Sequence, residues 1–357
     1  MDEKRALIGM SGGVDSSVAA YLMKEAGYSC IGATMRLYSS PDAESTCCGL
    51  DDVEDARSVA RRLGIPHYVF NFKDDFEEKV IQKFVDCYEQ GLTPNPCIDC
   101  NRHLKFDRLL RRAMELGCEC VVSGHYAQIR QDTETGRFLL YKAADNAKDQ
   151  TYFLACLNQE QLAHIRFPLG GLTKTEVRAI AEENGFVNAR KHDSQDICFV
   201  PDGDYVAFME RYTGKQYPEG DFLDTDGKVV GKHRGEVCYT LGQRKGLGLA
   251  MGAPVYVCGK DMQKNTVTVG PSAALFSNAL RANDWNWYPF PALTEPMNVT
   301  VKTRHSQQEQ SATVYPEADG FARVEFDAPQ RAVTPGQAVV LYQGDLVVGG
   351  GTITAAL

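Results

Sequence analysis

The sequence predicts an α/β protein in three parts: an N-terminal doubly wound parallel sheet, a small central mainly-β domain and a C-terminal β-barrel. Three observations carry this. Over the first 200 residues or so, strand and helix signals alternate, as in a parallel sheet covered by helices on both faces. After about residue 205 the chain turns rich in glycine and short strands. From about residue 278 the helical period is gone, and strands bounded by Gly, Pro and Asp turns remain. The expected domains are 1–204, 205–275 and 276–357, and 357 residues are enough for two or three.

The elements follow in order. "RALIGM" is a short apolar run, and "VDSSVAAYLMKEAGY" has helical spacing up to Gly27. "SCIGATMRLY" reads as a strand and "DDVEDARSVARRLG" as an amphipathic helix ending at Gly64. "PHYVFNF" is a strand, "DDFEEKVIQKFVDCYEQG" and "HLKFDRLLRRAMELG" are helices, and "CECVVSGHYA" is a strand. In the centre, "PVYVCGKDMQKNTVTVG" reads as a hairpin. "MNVTVKTRH", "SATVYP", "FARVEF" and "QAVVLYQGDLVVGGGTI" supply the barrel.

Composition narrows the function. Hydrophobic residues at 43% and charged residues at 24% describe an ordinary globular chain. No apolar run reaches the length of about 18 residues that a membrane helix needs. The start "MDEKRALIGM" has no signal-peptide pattern, so a cytoplasmic location and reduced thiols are expected for the 12 cysteines. A net charge of −9 argues against indiscriminate nucleic-acid binding; any RNA must be met by local basic patches. Cys30, Cys118, Cys120, Cys156 and Cys258 sit in apolar runs and should pack as small hydrophobes. Cys97, Cys100, Cys198 and the Cys47–Cys48 pair adjoin turn or polar residues.

"GMSGGVDSS" joins the first strand to the first helix. Gly12 and Gly13 permit a tight turn and close approach to a ligand, Ser11, Ser16 and Ser17 offer hydroxyls, and the helix start offers N–H groups to an anion. The loop holds no lysine, and Asp15 in the first turn would repel phosphate unless a divalent cation lay between, which implies Mg²⁺. Farther on, "TPNPCIDCN" places Cys97 and Cys100 three apart after two prolines. That spacing by itself allows a metal site, a disulfide or chemistry on sulfur.

"SGGVDSS" resembles the pyrophosphate loop of the PP-loop ATP pyrophosphatases, whose fold is adenine nucleotide alpha-hydrolase-like. "TPNPCIDCN", "GHYA" at 124–127, "KDQTYFL" at 148–154, "KHDSQDICFV" at 191–200, "TLGQRKGLGL" at 240–249 and "AVTPGQAVVLY" at 332–342 resemble the bacterial tRNA-uridine 2-sulfurtransferases, the tRNA 2-thiouridylase family, from end to end. The resemblance implies ATP-dependent 2-thiolation of the wobble uridine of tRNAs for Lys, Glu and Gln. ATP adenylates the C2 oxygen, a persulfide matching Cys198 supplies sulfur, and Cys100 is the catalytic nucleophile, leaving a transient Cys100–Cys198 disulfide. The persulfide would come from a cysteine desulfurase or a sulfur-relay protein, and the enzyme would be a monomer. The chemistry suits the residues: a thiolate is a strong nucleophile near neutral pH, and a second cysteine resolves the first by exchange.

By the same resemblance, Gly9, Met10, Ser11, Gly12, Gly13, Val14, Asp15, Ser16, Met35 and Gly124 match the ATP site, and Asn95, Pro96 and Cys97 line the target-base pocket. His125, Lys148, Asp149, Gln150, Arg304, His305 and Gln337 match tRNA contacts. Many relatives carry an aspartate where this chain has Cys97, so Asp99 or water would have to take over any acid–base role. Cys97 is then a bystander, a redox thiol or, with Cys100 and Cys198, a ligand of an iron–sulfur cluster with one open iron. Arg102, His103 and Lys105 stand where they could lower the pKa of Cys100. Lys228, Lys232, Arg234, Arg244 and Lys245, with Arg108, Arg111 and Arg112, are candidate phosphate contacts. His67, His164, Trp285 and Trp287 read as structural. A small-molecule amide ligase would need neither the separated cysteines nor the basic β segment, and a C-x-x-C metal or redox binder leaves "SGGVDSS" unexplained.

Overall fold

The computed structural model describes residues 4–38, 49–192 and 197–357. The Cys47–Cys48 pair and part of the stretch before Cys198 lie outside the described residues.

The N-terminal sheet is parallel throughout. Its strands are β1 (Arg5–Gly9), β2 (Ser29–Arg36), β3 (His67–Asn71), β4 (Cys120–Val122) and, after the β5–β6 hairpin described below, β7 (Ile165–Arg166), in the order β3-β2-β1-β4-β7. Leu7 lies opposite Ile31 on one side and Val121 on the other. Ala6, Leu7 and Ile8 are fully buried, because helices cover both faces and a strand there reads as an unbroken apolar run. The helices are α1 (Val14–Glu25), α2 (Leu50–Leu63), α3 (73–89), α4 (96–115), α5 (Thr151–Leu154), α6 (Gln159–Ala163), α7 (Lys174–Glu183) and α8 (Tyr205–Thr213). α2 ends at Gly64, whose φ of 67° is the left-handed closing turn. α7 opens with a reciprocal Thr173–Glu176 capping box.

Two sequence expectations change here. The helix expected from His103 begins at Pro96, because proline is preorganised for a first turn and loses no hydrogen bond there. Both cysteines of the C-x-x-C motif therefore lie on α4 rather than ahead of it. The strand expected over "CECVVSGHYA" stops at Val122. A Cβ on Gly124 would stand 2.7 Å from backbone atoms of Asp15 and Ser16, so the chain leaves the sheet to lie against the glycine loop.

The central sheet has the order β10-β11-β8-β9, from β8 (Gly220–Leu223), β9 (Val229–His233), β10 (Tyr256–Asp261) and β11 (Thr266–Gly270), and β10–β11 is the expected hairpin. The C-terminal barrel uses β12 (Phe276–Trp287), β13 (Met297–Lys302), β14 (Gln310–Pro316), β15 (Ala322–Arg331), β16 (Ala338–Gln343) and β17 (Leu346–Ala356). It runs β12-β15-β14-β13-β16-β17 and closes by β12–β17 pairing. Closure removes exposed edges and encloses Val301, Val314, Val324, Leu341 and Ile353. An unexpected hairpin, β5 (Gln128–Gln131) and β6 (Phe138–Tyr141), leaves the N-terminal part and pairs with the barrel where Tyr141 meets Leu346. Arg137 locks it by donating to the Tyr288 and Trp287 carbonyls at 2.6 and 2.9 Å. Trp285 and Trp287 stack at 4.7 Å against the barrel core, as structural residues.

Candidate active site

The glycine loop leaves β1 at the carboxyl end of the sheet, where open α/β sheets bind ligands. Met10 is clamped on both sides: its N–H donates to Ala33 O at 2.8 Å and its carbonyl accepts from Thr34 Oγ1 at 2.7 Å. Met35 follows Thr34 on β2. Gly12 has a φ of +77°, and a Cβ there would lie 2.4 Å from Asp52 O, so only glycine fits. Ser16 Oγ accepts from Ser11 N at 3.2 Å and donates to Gly13 O at 3.0 Å. Gly13 heads α1 with no side-chain cap, which leaves first-turn amides to meet an anion. The structure thus gathers Gly9 through Ser16, Met35 and Gly124 around one strand end.

Asp15 has a cationic partner that the sequence reading, which noted only the lack of a lysine within the loop, did not identify. Lys174 Nζ lies 2.7 and 2.8 Å from its two carboxylate oxygens, and Tyr126 Oη donates to Oδ1 at 2.8 Å. A cation therefore does stand at the loop, supplied by α7. Asn188 was also missed: its Nδ2 donates to Gly12 O at 2.8 Å and Ser17 Oγ at 2.9 Å. Lys191 pairs with Asp52 and Asp55 of α2 at 2.7 and 2.6 Å.

On α4, Cys97 is exposed and Cys100 is buried, opening a π-helical stretch, Cys100–Arg108. Such stretches are rare and frequent at functional sites. Cys198 is half-buried and packs on the hydrophobic cluster that contains Cys100. Its neighbour Phe199 is the anchor, with rings of Phe84, Phe208, Phe76 and Tyr38 at 5.2, 5.0, 5.8 and 6.4 Å. Among the described residues no group of three His, Cys, Asp or Glu side chains is arranged to hold a metal ion. The three-cysteine cluster site is not assembled: Cys97 faces solvent, whereas Cys100 is turned into the core.

Two further residues have partners within the protein. Asp99, weighed as a stand-in for the missing aspartate at position 97, is buried and bonded to Lys83 at 2.6 Å. Arg102 is turned to Asp284 of β12, at 2.5 Å, and to Cys156. Burial pushes the Cys156 thiol up to about 12, with Arg102 opposing, so that thiol stays protonated. Asn95, Asp99, Arg102 and Cys156, with Gly350 of the barrel, line a cavity of about 100 Å³ behind the C-x-x-C segment. Cys30, Cys118 and Cys120 are buried as expected, while Cys156 and Cys258 are only partly so.

The residues matched to tRNA contacts form a seam between sheet domain and barrel, but several are occupied within the protein. Gln337 Nε2 donates to the Thr93 and Pro94 carbonyls at 2.8 and 3.2 Å, holding the segment ahead of the C-x-x-C motif to the barrel. Arg304 is spent on Ala332 O, Thr334 Oγ1 and Leu241 O at 2.8, 2.8 and 3.3 Å. His305 packs on Phe153 at 4.4 Å, and burial together with Lys302 lowers its pKa. His125 sits between Phe106 and Phe167, and burial pushes it well below its ordinary value, so it is neutral. Asp149 accepts from Thr151 Oγ1 at 2.6 Å, and Gln150 exchanges bonds with Tyr126 at 3.0 Å. Lys148 begins this segment. Tyr126 thereby links the carboxylate of Asp15 to the 148–153 segment on which His305 packs.

The basic candidates divide. Arg108, Arg111 and Arg112 pair with Asp75, Asp107 and Glu115, and Lys232 with Asp221. Lys228, Arg234, Arg244 and Lys245 are exposed with no ion pair among the described residues.

A parallel sheet feeding a glycine loop into an uncapped helix, with a closed barrel docked beside it, defines a PP-loop-like α/β protein of the HUP class. The sequence matches the families described as tRNA methyl transferase HUP domain over residues 4–202, tRNA methyl transferase PRC-barrel domain over 206–271 and Aminomethyltransferase beta-barrel domain over 277–353. It is 52% identical to a tRNA-specific 2-thiouridylase of Acetivibrio thermocellus, covering 99% of this chain and 100% of that one. It is 48% identical to the Clostridioides difficile 2-thiouridylase, covering 99% of each chain. The Symbiobacterium thermophilum protein is 51% identical, with 99% of this chain and 93% of that one covered. The chain belongs to the tRNA-specific 2-thiouridylase family and is an enzyme. Among the described residues no helix is long and apolar enough to cross a membrane.

Proposed function

We propose that the protein uses ATP to replace the C2 oxygen of the wobble uridine in tRNAs for Lys, Glu and Gln with sulfur. The observation that carries this is the glycine loop at the carboxyl end of the parallel sheet, where a side chain on Gly12 would collide with Asp52, in a chain that also bears the separated cysteines Cys100 and Cys198. Family membership supports the same reading.

The uridine C2 oxygen attacks the α-phosphorus of ATP, an O–P bond forms and pyrophosphate leaves. Adenylation turns a poor leaving group into AMP. Sulfur waits as a persulfide on Cys198, loaded by a cysteine desulfurase or a sulfur-relay protein. The Cys100 thiolate attacks the Cys198 sulfur, the outer sulfur leaves as sulfide, and a Cys100–Cys198 disulfide forms. Sulfide adds at C2, the C2–O bond breaks and AMP departs. An external thiol reductant then restores both cysteines. Mg²⁺ bound with the nucleotide would screen phosphate charge, and Asp15 is the carboxylate at the loop that would face it. Asn95, Pro96 and Cys97 border the pocket for the flipped base, whose Watson–Crick edge is read there. Lys148, Asp149, Gln150, His125, His305, Arg304 and Gln337 build or line the wall against the anticodon loop. Arg244 and Lys245 meet its phosphates. The division into 1–204, 205–275 and 276–357 follows these roles: chemistry, phosphate contact and support of the base segment. The enzyme acts as a monomer in the cytoplasm.

The test is thiolation of unmodified tRNA with ATP, Mg²⁺ and sulfide or a persulfide donor, with the product nucleoside identified by mass so that thiolation and methylation are told apart. Cys100→Ser and Cys198→Ser should each reduce persulfide-dependent thiolation at least a hundredfold, while Cys97→Ala retains most of it. Full activity in both serine variants would sink the mechanism.

A further inference from the structure

Shortly before Cys198 the chain is fastened repeatedly to the glycine loop and its surroundings, all within residues 188–191. Asn188 Nδ2 holds Gly12 O and Ser17 Oγ. Arg178 of α7 donates to the Ala189 and Lys191 carbonyls at 3.1 and 3.2 Å, and Arg190 pairs with Glu182 at 3.1 Å. Lys191 Nζ lies 2.7 Å from Asp52 Oδ1 and 2.6 Å from Asp55 Oδ2, in the opening turns of α2. Asp52 is also the residue whose carbonyl a side chain on Gly12 would strike. On the other side of Cys198, Phe199 is set among Phe84, Phe208 and Phe76. Cys198 thus stands between two anchors, and the link from Lys191 lets it reach no farther than about 25 Å. The lysine is not there for the helix, because carboxylates at a helix start already suit its dipole. Nor does it add much stability: its side chain is 36% exposed, against 22% and 30% for its partners, and ion pairs so placed contribute little. What the pair does fix is where the chain leading to Cys198 departs from the nucleotide loop.

We propose that Lys191 is a positioning residue for sulfur transfer, clasping the chain ahead of Cys198 to α2 so that the persulfide is held on the same framework as the nucleotide. The assignment deepens the reading of Cys198 as persulfide carrier and rests on it. Adenylation releases pyrophosphate and leaves an activated C2–O–AMP linkage. Sulfide breaks its C2–O bond and gives 2-thiouridine and AMP. Water can break the same linkage and gives back uridine and AMP. Sulfur must therefore be at hand when the linkage forms, and holding it there is a matter of position. With the clasp open, AMP is still made, but fewer AMP molecules are matched by a thiolated base.

The test counts AMP and 2-thiouridine in one reaction of the full chain with unmodified tRNA, MgATP and a persulfide donor. In the wild type the two should accumulate nearly in step. Lys191→Met should leave MgATP affinity, measured by calorimetry, and tRNA-dependent AMP formation within twofold. It should lower thiolation at least tenfold, so that thiolation per AMP falls at least fivefold. Lys191→Arg should restore most of that ratio. An unchanged ratio in Lys191→Met, or a matching loss of ATP affinity and thiolation, would overturn the assignment. Should Lys191→Met fail to fold, Asp55→Asn decides, since it removes one carboxylate of the clasp and leaves the Asp52 bond to Gly49 N in place. Its thiolation per AMP should fall at least threefold, and a smaller change refutes the proposal. A wild type that forms no AMP, or thiolates equally well without Cys198, would instead remove the underlying reading.

Discussion

Asn188 illustrates how a single side chain can fix a ligand loop from beneath. It is 2% exposed, and one amide group holds both a loop carbonyl, Gly12 O, and a helix hydroxyl, Ser17 Oγ. Truncating it leaves buried polar groups without that partner, which costs about 1–3 kcal/mol. Asn188→Ala should therefore lower the melting temperature and weaken ATP binding together, by roughly tenfold, as seen by calorimetry and thermal scans. A variant with unchanged nucleotide affinity would show that the loop holds its shape alone. Neither Asn188 nor Lys174 was legible in the sequence, since their partners lie 176 and 159 residues away. "SGGVDSS" was legible because its work is local: a turn, hydroxyls and a helix start within seven residues. The ammonium beside Asp15 was not legible for the same reason, since charge balance is settled in three dimensions.

At the scale of elements, the central sheet carries a buried tension. Lys260 on β10 has its Nζ buried with no hydrogen-bond partner, and so does Glu236 Oε2 nearby. Burial lowers the Lys260 ammonium from 10.5 to about 8, with Glu236 and Cys238 opposing. A lowered lysine means that folding favours the neutral amine. The penalty is full below about pH 8 and relieved as pH rises toward 10.5. The melting temperature of the wild type should thus gain on that of Lys260→Met between pH 8 and 10. Parallel slopes in the two proteins would show that Lys260 is not strained. Strand alternation announced the β10–β11 hairpin and most of the barrel. It did not announce β12, which turns through a bulge at Asp284 with a φ of 52° and so lacks a single clean register. Nor did it announce the start of α4 at Pro96, where the two prolines read as a turn rather than as a helix start.

For the whole molecule, the contact between barrel and sheet domain fixes the 93–97 segment, which is proposed above to border the base. That segment is sewn to the barrel by Gln337 and by the Thr93 N–H bond to Pro335 O at 3.0 Å. Between these anchors Gly336 has a φ of +91°, and a Cβ would meet Thr93 N at 2.9 Å and Leu92 Cβ at 3.0 Å. Gly336→Ala should cut thiolation at least tenfold while leaving ATP binding within twofold, because it shifts the segment proposed to border the base and not the glycine loop. Equal losses in both assays would indicate general unfolding. The hairpin β5–β6 has a different consequence, in time rather than in space. Its Tyr141 pairs with Leu346, more than 200 residues later in the chain. At about 5–20 residues per second, a ribosome takes roughly 10–40 s to deliver that partner. During the interval the apolar β6, Phe-Leu-Leu-Tyr, is an unfinished edge, open to pairing with a neighbouring nascent chain until β17 arrives to cover it.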